Sequence, residues 1–226
     1  MAAPHEDALA RIDHDGVIRE GIEAVETAAA GQTRSSFFKR GSALAGAGLA
    51  LGAIPAGFAI AQGGLPKGDV KILNYALTLE YLEAAFYKEA IDKGELSGES
   101  QIFAEVVAAH EAAHVDALKQ TLGKKAIKSP KVDFGGATGK SKFLKTAQIL
   151  EDTGVAAYLG QAGAIKTPAV LSAAASILSV EARHAAWVRD IIGGGKGVNP
   201  APDSFEMPQD MAAILDAVKG TGFLKG

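Results

Sequence analysis

Two Glu-x-x-His motifs, Glu111-Ala-Ala-His114 and Glu181-Ala-Arg-His184, stand 70 residues apart in a chain of 226 residues. Residues three apart on a helix share a face, so each motif aims one carboxylate and one imidazole at a common point. A single glutamate precedes each motif in a helical run: Glu80 before the first and Glu151 before the second, 71 residues apart. Four carboxylates and two imidazoles, delivered by four helices, are the side chains that hold two metal ions in a helical bundle. Oxygen-rich ligation with one nitrogen per ion suits iron or manganese, and argues against copper-type sites. The chain has no cysteine, which excludes disulfides, thiolate metal sites and thiol catalysis.

The elements that must position these side chains are legible as helical runs. The first is expected over about 69–93, with Asp69 as N-cap and Gly94 as stop. Its apolar residues Ile72, Leu73, Ala76, Leu79, Leu82, Phe86 and Ala90 recur at three- and four-residue spacing. The second is expected over about 98–122, stopped by Gly123, and the third over about 141–162, opened by Ser141. The fourth is expected over about 168–192, with Thr167 as N-cap, Pro168 at the first helical position and glycines 193–195 behind it. A shorter fifth run, about 208–219, starts at Pro208 and ends before Gly220. No useful length alternates at period two, so the fold class is all-α.

Loop lengths set the expected topology. Helices one and two are joined by a few residues, as are three and four, and short connections make antiparallel neighbours. The stretch from Gly123 to Lys140 is long. It can carry the chain back along the bundle as a crossover, which gives ferritin-like connectivity in place of simple up-down-up-down order. An internal repeat agrees. Glu80 is followed by Tyr87 and Glu151 by Tyr158, each seven residues on, and each half then presents its Glu-x-x-His. Two copies at a period near 70 read as a duplicated helix hairpin.

Together, Glu80, Glu111-x-x-His114, Glu151 and Glu181-x-x-His184 resemble the ligand pattern of the ferritin-like dimetal-carboxylate superfamily, carried by residues 69–192. The run Ala76-Leu-Thr-Leu-Glu-Tyr-Leu-Glu-Ala-Ala-Phe-Tyr87 is similar to the first helix of bacterial ferritin-like domain proteins, including those related to desiccation-associated proteins. The resemblance implies that Glu80 and Glu151 bridge two iron or manganese ions or bind one each, with His114 and His184 as terminal ligands.

Other readings of the same residues compete. Glu83 lies three residues beyond Glu80 and rivals it as ligand, but the register from glutamate to tyrosine matches Glu151 only from Glu80. Tyr87 and Tyr158 lie about two turns beyond their glutamates. A hydrogen bond to the site or a redox role stands there beside plain core packing. Glu89, Glu105 and Asp152 read as solvated faces, and Trp187 as bundle packing. His110 and His114 also spell the zinc-protease motif H-E-x-x-H around Glu111. That reading lacks its downstream ligand and leaves the second Glu-x-x-His unexplained, so His110 becomes a flanking residue, with support of a ligand from outside the set as its other role.

With 48% hydrophobic residues the chain can bury a sizeable core, and a formal net charge of −3 gives no pull toward nucleic acid. The uncharged, Gly/Ala-rich stretch 41–61 follows Arg34, Lys39 and Arg40 and ends in Ala59-Ile60-Ala61. It reads as an export signal cleaved after Ala61, in preference to a retained membrane anchor. The segment from Thr33 to Lys39 resembles a twin-arginine signal, with Ser35 where the second arginine would stand. Residues 4–30 can form a helix, with His5 and His14 solvent-exposed. The expected organisation is a 1–61 extension with export signal, and a 62–226 bundle with C-terminal tail. The expected function is an exported di-iron or di-manganese protein acting on dioxygen or peroxide, by iron(II) oxidation or peroxide removal. The alternative is a non-catalytic metal-binding or stress-protective envelope protein. No assembly signal is present, and a homo-oligomer stays open.

Overall fold

The computed structural model describes residues 64–197 and 199–225. The helix expected over 4–30, His5, His14 and the export signal lie outside the described residues.

Four long helices form as their spacing requires: α1 Lys67–Lys93, α2 Glu99–Leu122, α3 Phe143–Gln161 and α4 Pro168–Ile192. A shorter α5, Met211–Thr221, follows. All seven apolar positions of the α1 stripe are buried. Four ends differ from expectation. α3 starts at Phe143, with Lys142 and not Ser141 at its N-cap, and α5 runs through Gly220 to Thr221, with Gly222 as its stop. Asp69 sits inside the first turn of α1, where its buried carboxylate accepts the Lys166 and Thr167 backbone N–H groups, both at 2.9 Å. It thereby ties the α3–α4 connection to α1 and does not cap its own helix. α5 begins three residues after Pro208, because Gln209 N–H is committed to the Ala156 carbonyl at 3.2 Å and Asp210 is the cap, accepting from Ala213 N–H at 2.9 Å.

The crossover is traceable through its hydrogen bonds to α1. Near the start of α1, Asn74 donates to the Lys125 carbonyl and accepts from Ile127 N–H, so α2 ends where α1 begins. Near the end of α1, Lys93 donates to the Gly135 carbonyl and Glu89 accepts from Thr138. The connection therefore runs the length of α1, and α3 starts beside the end of α1. α3 is antiparallel to α1 and parallel to α2, which is the ferritin-like order. Two-residue strands break the all-helical pattern: β1, Lys131–Val132, in the crossover pairs antiparallel with β2, Leu224–Lys225. Phe223 packs its ring against Phe134 at 5.2 Å. The tail thus fastens the crossover.

Gly160 shows why α5 can lie on α3. A Cβ there would stand 1.8 Å from the Gln209 carbonyl oxygen, so only glycine permits this backbone approach. Ile214 and Val218 complete the contact as buried residues.

Apolar side chains fill the bundle in two clusters. One gathers Phe86, Phe103 and Phe143 toward the end where α1 stops, with the Phe143 ring centroid 5.6 Å from that of Phe86 and 6.3 Å from that of Phe103. The other gathers Leu73, Leu77, Leu118 and Ile177 toward the end where α1 starts. Trp187 packs edge-to-face on Phe103 at 5.1 Å, which is the packing role expected of it. Between the clusters lies a polar layer.

Candidate metal centre

Glu80, Glu111, Glu151 and Glu181 are each 0% exposed, His114 8% and His184 3%. Leaving this many carboxylates dry costs several kcal/mol per ion unless a cation meets them. The structure brings all six sequence-selected residues together from four helices.

The arrangement has two halves. His114 Nδ1 lies 3.2 Å from Glu80 Oε2, 3.2 Å from Glu111 Oε2 and 3.0 Å from Glu181 Oε1. His184 Nδ1 lies 3.1 Å from Glu151 Oε2, 3.3 Å from Glu111 Oε1 and 3.8 Å from Glu181 Oε2. Two four-residue groups have ligand atoms within 4.8 Å of one another: Glu80, Glu111, His114, Glu181, and Glu111, Glu151, Glu181, His184. Glu111 and Glu181 belong to both and turn one oxygen to each half. Of the two roles the resemblance allowed for Glu80 and Glu151, the geometry puts each in one half only. The shared carboxylates are those of the Glu-x-x-His motifs.

The residues fit a pair of hard cations. Glu111 Oε1 and both Glu181 oxygens are buried and accept no hydrogen bond of good geometry. Native interiors rarely leave such acceptors unsatisfied. An oxygen-rich set with one imidazole per half is the donor chemistry that iron and manganese take.

Protons and imidazoles carry the balance of charge in this layer. Burial works against a charged His184, but hydrogen bonding to Glu111, Glu151 and Glu181 outweighs it and pushes the imidazole up to about 12. His114 rises in the same way, its burial overcome by Glu80, Glu111 and Glu181. Burial also works to raise Glu181, but the two imidazoles outweigh it and bring it to about 2. Burial raises Glu151 to about 7 despite the His184 hydrogen bond. Glu111 is driven up by burial and by the Glu181 and Glu80 carboxylates. Imidazolium groups thus stand beside the carboxylates as the cations of the layer.

The tyrosines make the hydrogen bonds that one reading of the sequence allowed, and they cross over. Tyr87, on the helix of Glu80, donates to Glu151 Oε1; Tyr158, on the helix of Glu151, donates to Glu80 Oε1. Since α1 and α3 are antiparallel, a side chain seven residues along one helix comes level with the glutamate of the other.

The sequence matches the family model of the ferritin-like domain over residues 68–194, more than half of the chain. The chain belongs to the ferritin-like domain family. A search of curated proteins finds no match to it. Membership agrees with the crossover and with the two-half cluster at the centre of the ferritin-like bundle.

Three residues of this bundle's site exceed the six. His110 is exposed, and its Nδ1 lies 2.8 Å from His184 Nε2. With His184 Nε2–H donating to His110, it is the Nδ1 proton, turned to the carboxylates, that an incoming ion would displace. Glu83 is not excluded by Glu80, for both are buried at the centre, Glu83 at 3% exposure. Gly154 faces the carboxylates: a Cβ there would lie 3.3 Å from Glu181 Oε2 and 3.5 Å from Glu83 Oε1. Its signal was in the repeat, where the 71-residue offset that pairs Glu80 with Glu151 also pairs Glu83 with Gly154. Of the side chains read as solvated, Glu105 is exposed, whereas Asp152 meets Arg189 at 2.6 Å and Glu89 anchors Thr138 and Lys93.

Proposed function

We propose that this ferritin-like protein is exported, holds two iron or two manganese ions in its central layer, and acts on dioxygen or peroxide, by iron(II) oxidation or peroxide removal. The single observation that carries the reading is the sharing of Glu111 and Glu181 between two four-donor groups, each completed by one glutamate and one histidine. Two redox ions joined by shared carboxylates would supply a two-electron change to a bound oxidant. The chain's own residues set the conditions. Glu80, His114, Glu151 and His184 would hold one side each, Glu111 and Glu181 the middle. Tyr87 and Tyr158 orient Glu151 and Glu80. The apolar clusters on either side exclude bulk water, which strengthens every electrostatic contact inside.

Export rests on the uncharged stretch 41–61, its preceding basic residues and the small-x-small end at Ala61. On that reading residues 1–61 are removed and Gln62 begins the mature chain. Mass spectrometry of the N-terminus from the envelope fraction tests this; a chain retaining residues 1–61 in the cytoplasm would overturn it.

The experiment for the site is metal content of the purified full chain, followed by oxidant consumption. About two iron or manganese ions per chain, together with dioxygen or peroxide consumed by the reduced loaded protein, is the expected result. Absence of bound metal with Glu111 and His184 intact defeats the reading. Full loading without oxidant consumption turns it to the protective, non-catalytic alternative.

A further inference from the structure

Glu83 is a buried carboxylate that the six-residue set does not use. It is 3% exposed and takes part in no hydrogen bond or ion pair among the described residues. This nearly buried carboxyl stands three residues from Glu80 on the same face of α1. Its field is felt with those of Glu181, Glu151, Glu111 and Glu80, in that order, and burial drives its carboxyl well up. Glu181 is shared between the halves, and the oxygen it turns to the His184 half, Oε2, is the one that lies beside Gly154. Gly154 supplies the second, independent observation. It sits one turn beyond Glu151, and the missing side chain is what lets Glu83 Oε1 and Glu181 Oε2 both approach α3, at 3.5 and 3.3 Å from where a Cβ would be. Glu181, toward which this gap opens, is 0% exposed, and neither of its oxygens accepts a hydrogen bond of good geometry. Glu83 belongs to neither four-donor group as the side chains stand.

We propose that Glu83 is a fifth carboxylate ligand of the centre, reaching the ion of the Glu151–His184 half through the space left by Gly154. The proposal rests on the dimetal reading above. It makes the halves unequal: the repeat places Glu83 on α1 and only a glycine at the matching position of α3. One ion then has an additional oxygen donor and the other does not.

Cobalt(II) titration of the metal-free full chain tests this, because its visible absorption reports coordination without turnover. The variants are Glu83→Gln, which keeps shape and loses the donor charge, and Glu83→Asp, which keeps charge but is one methylene too short. Wild type is expected to take about two ions per chain in two steps. Both variants are expected to weaken one step by about tenfold or more, in the range seen when metal-site partners are removed, and to change the absorption of that ion alone. A wild-type spectrum and affinity in Glu83→Asp, with weakening only in Glu83→Gln, would assign Glu83 a field effect and overturn ligation. Unchanged binding in both variants, or loss of fold in both, overturns it as well. Failure of the wild type to bind cobalt instead defeats the dimetal reading itself, so the two failures are distinguishable.

Discussion

The Tyr87 hydroxyl donates to Glu151, a residue of another helix 64 positions away, and Tyr158 returns the same contact to Glu80. The exchange binds the two halves of the duplicated hairpin through the carboxylates that each half holds singly. Both phenols are pushed well up, by burial first and then by the carboxylate each one faces, so they remain donors at any ordinary pH.

Tyr158→Phe removes the donor to Glu80 and leaves the ring. A hydrogen bond to a charged group contributes about 1.5–3 kcal/mol, and partners of ligands tune metal affinity about 10–100-fold. Metal titration is expected to show one weakened ion in Tyr158→Phe and one in Tyr87→Phe. The double variant should weaken both. If either single variant weakens both ions equally, the halves are not independent and the pairing of Tyr158 with the Glu80 half is wrong.

His110→Ala removes the acceptor that holds the proton on His184 Nε2. The imidazole then loses its fixed tautomer and its orientation toward the carboxylates. About tenfold weaker binding of one ion is expected, with the His114 half unchanged, since among the described residues His110 meets only His184 at hydrogen-bonding distance. His110→Gln offers an amide oxygen at a similar reach and is expected to restore part of the loss. An equal loss in both variants would point to packing at this exposed position.

Much of this centre was legible because helical spacing and ligand spacing are the same geometry. Glu111 and His114 share a face whatever the helix packs against, and the stops at Gly94 and Gly123 set the α1–α2 hairpin. What depends on the relative rotation of two helices was not legible. His110 meets His184 only because α2 lies beside α4, and nothing within three or four residues of His110 encodes that. Asp69 has the residue type and position of a cap, yet its carboxylate goes to the α3–α4 connection, a partner nearly a hundred residues on. Spacing alone sets Glu83 and Glu80 in rivalry for one place, because it does not encode the room that Gly154 leaves on a different helix.

Gly160→Ala is expected to release the C-terminal segment and spare the centre. The new methyl group would occupy the position of the Gln209 carbonyl, so α5 must lift from α3 and expose Ile214 and Val218. Fully burying such side chains contributes about 1.5–3 kcal/mol each. Faster proteolytic cutting after residue 195, a lower melting temperature and unchanged metal content are the expected readouts. Loss of metal in this variant would mean that α5 helps shape the ligand layer.

Metal and protons should compete for the layer, and the direction is fixed by the imidazoles. His184, pushed up to about 12, and His114, raised likewise, carry protons at neutral pH without metal. An ion can take Nδ1 only from the neutral ring, so each bound ion must expel a proton. Metal affinity should therefore rise as pH rises from 6 to 8, and uptake should acidify a weakly buffered solution. Stabilisation follows the same sign: an ion present at about 100 times its Kd adds about 2.7 kcal/mol, so the gain in melting temperature over the chelator-treated protein should be larger at pH 8 than at pH 6. Melting curves with manganese(II) and with chelator at both pH values check this. A gain that shrinks with rising pH would mean that the imidazoles are not displaced from their protons, and hence that His114 and His184 do not bind the ions.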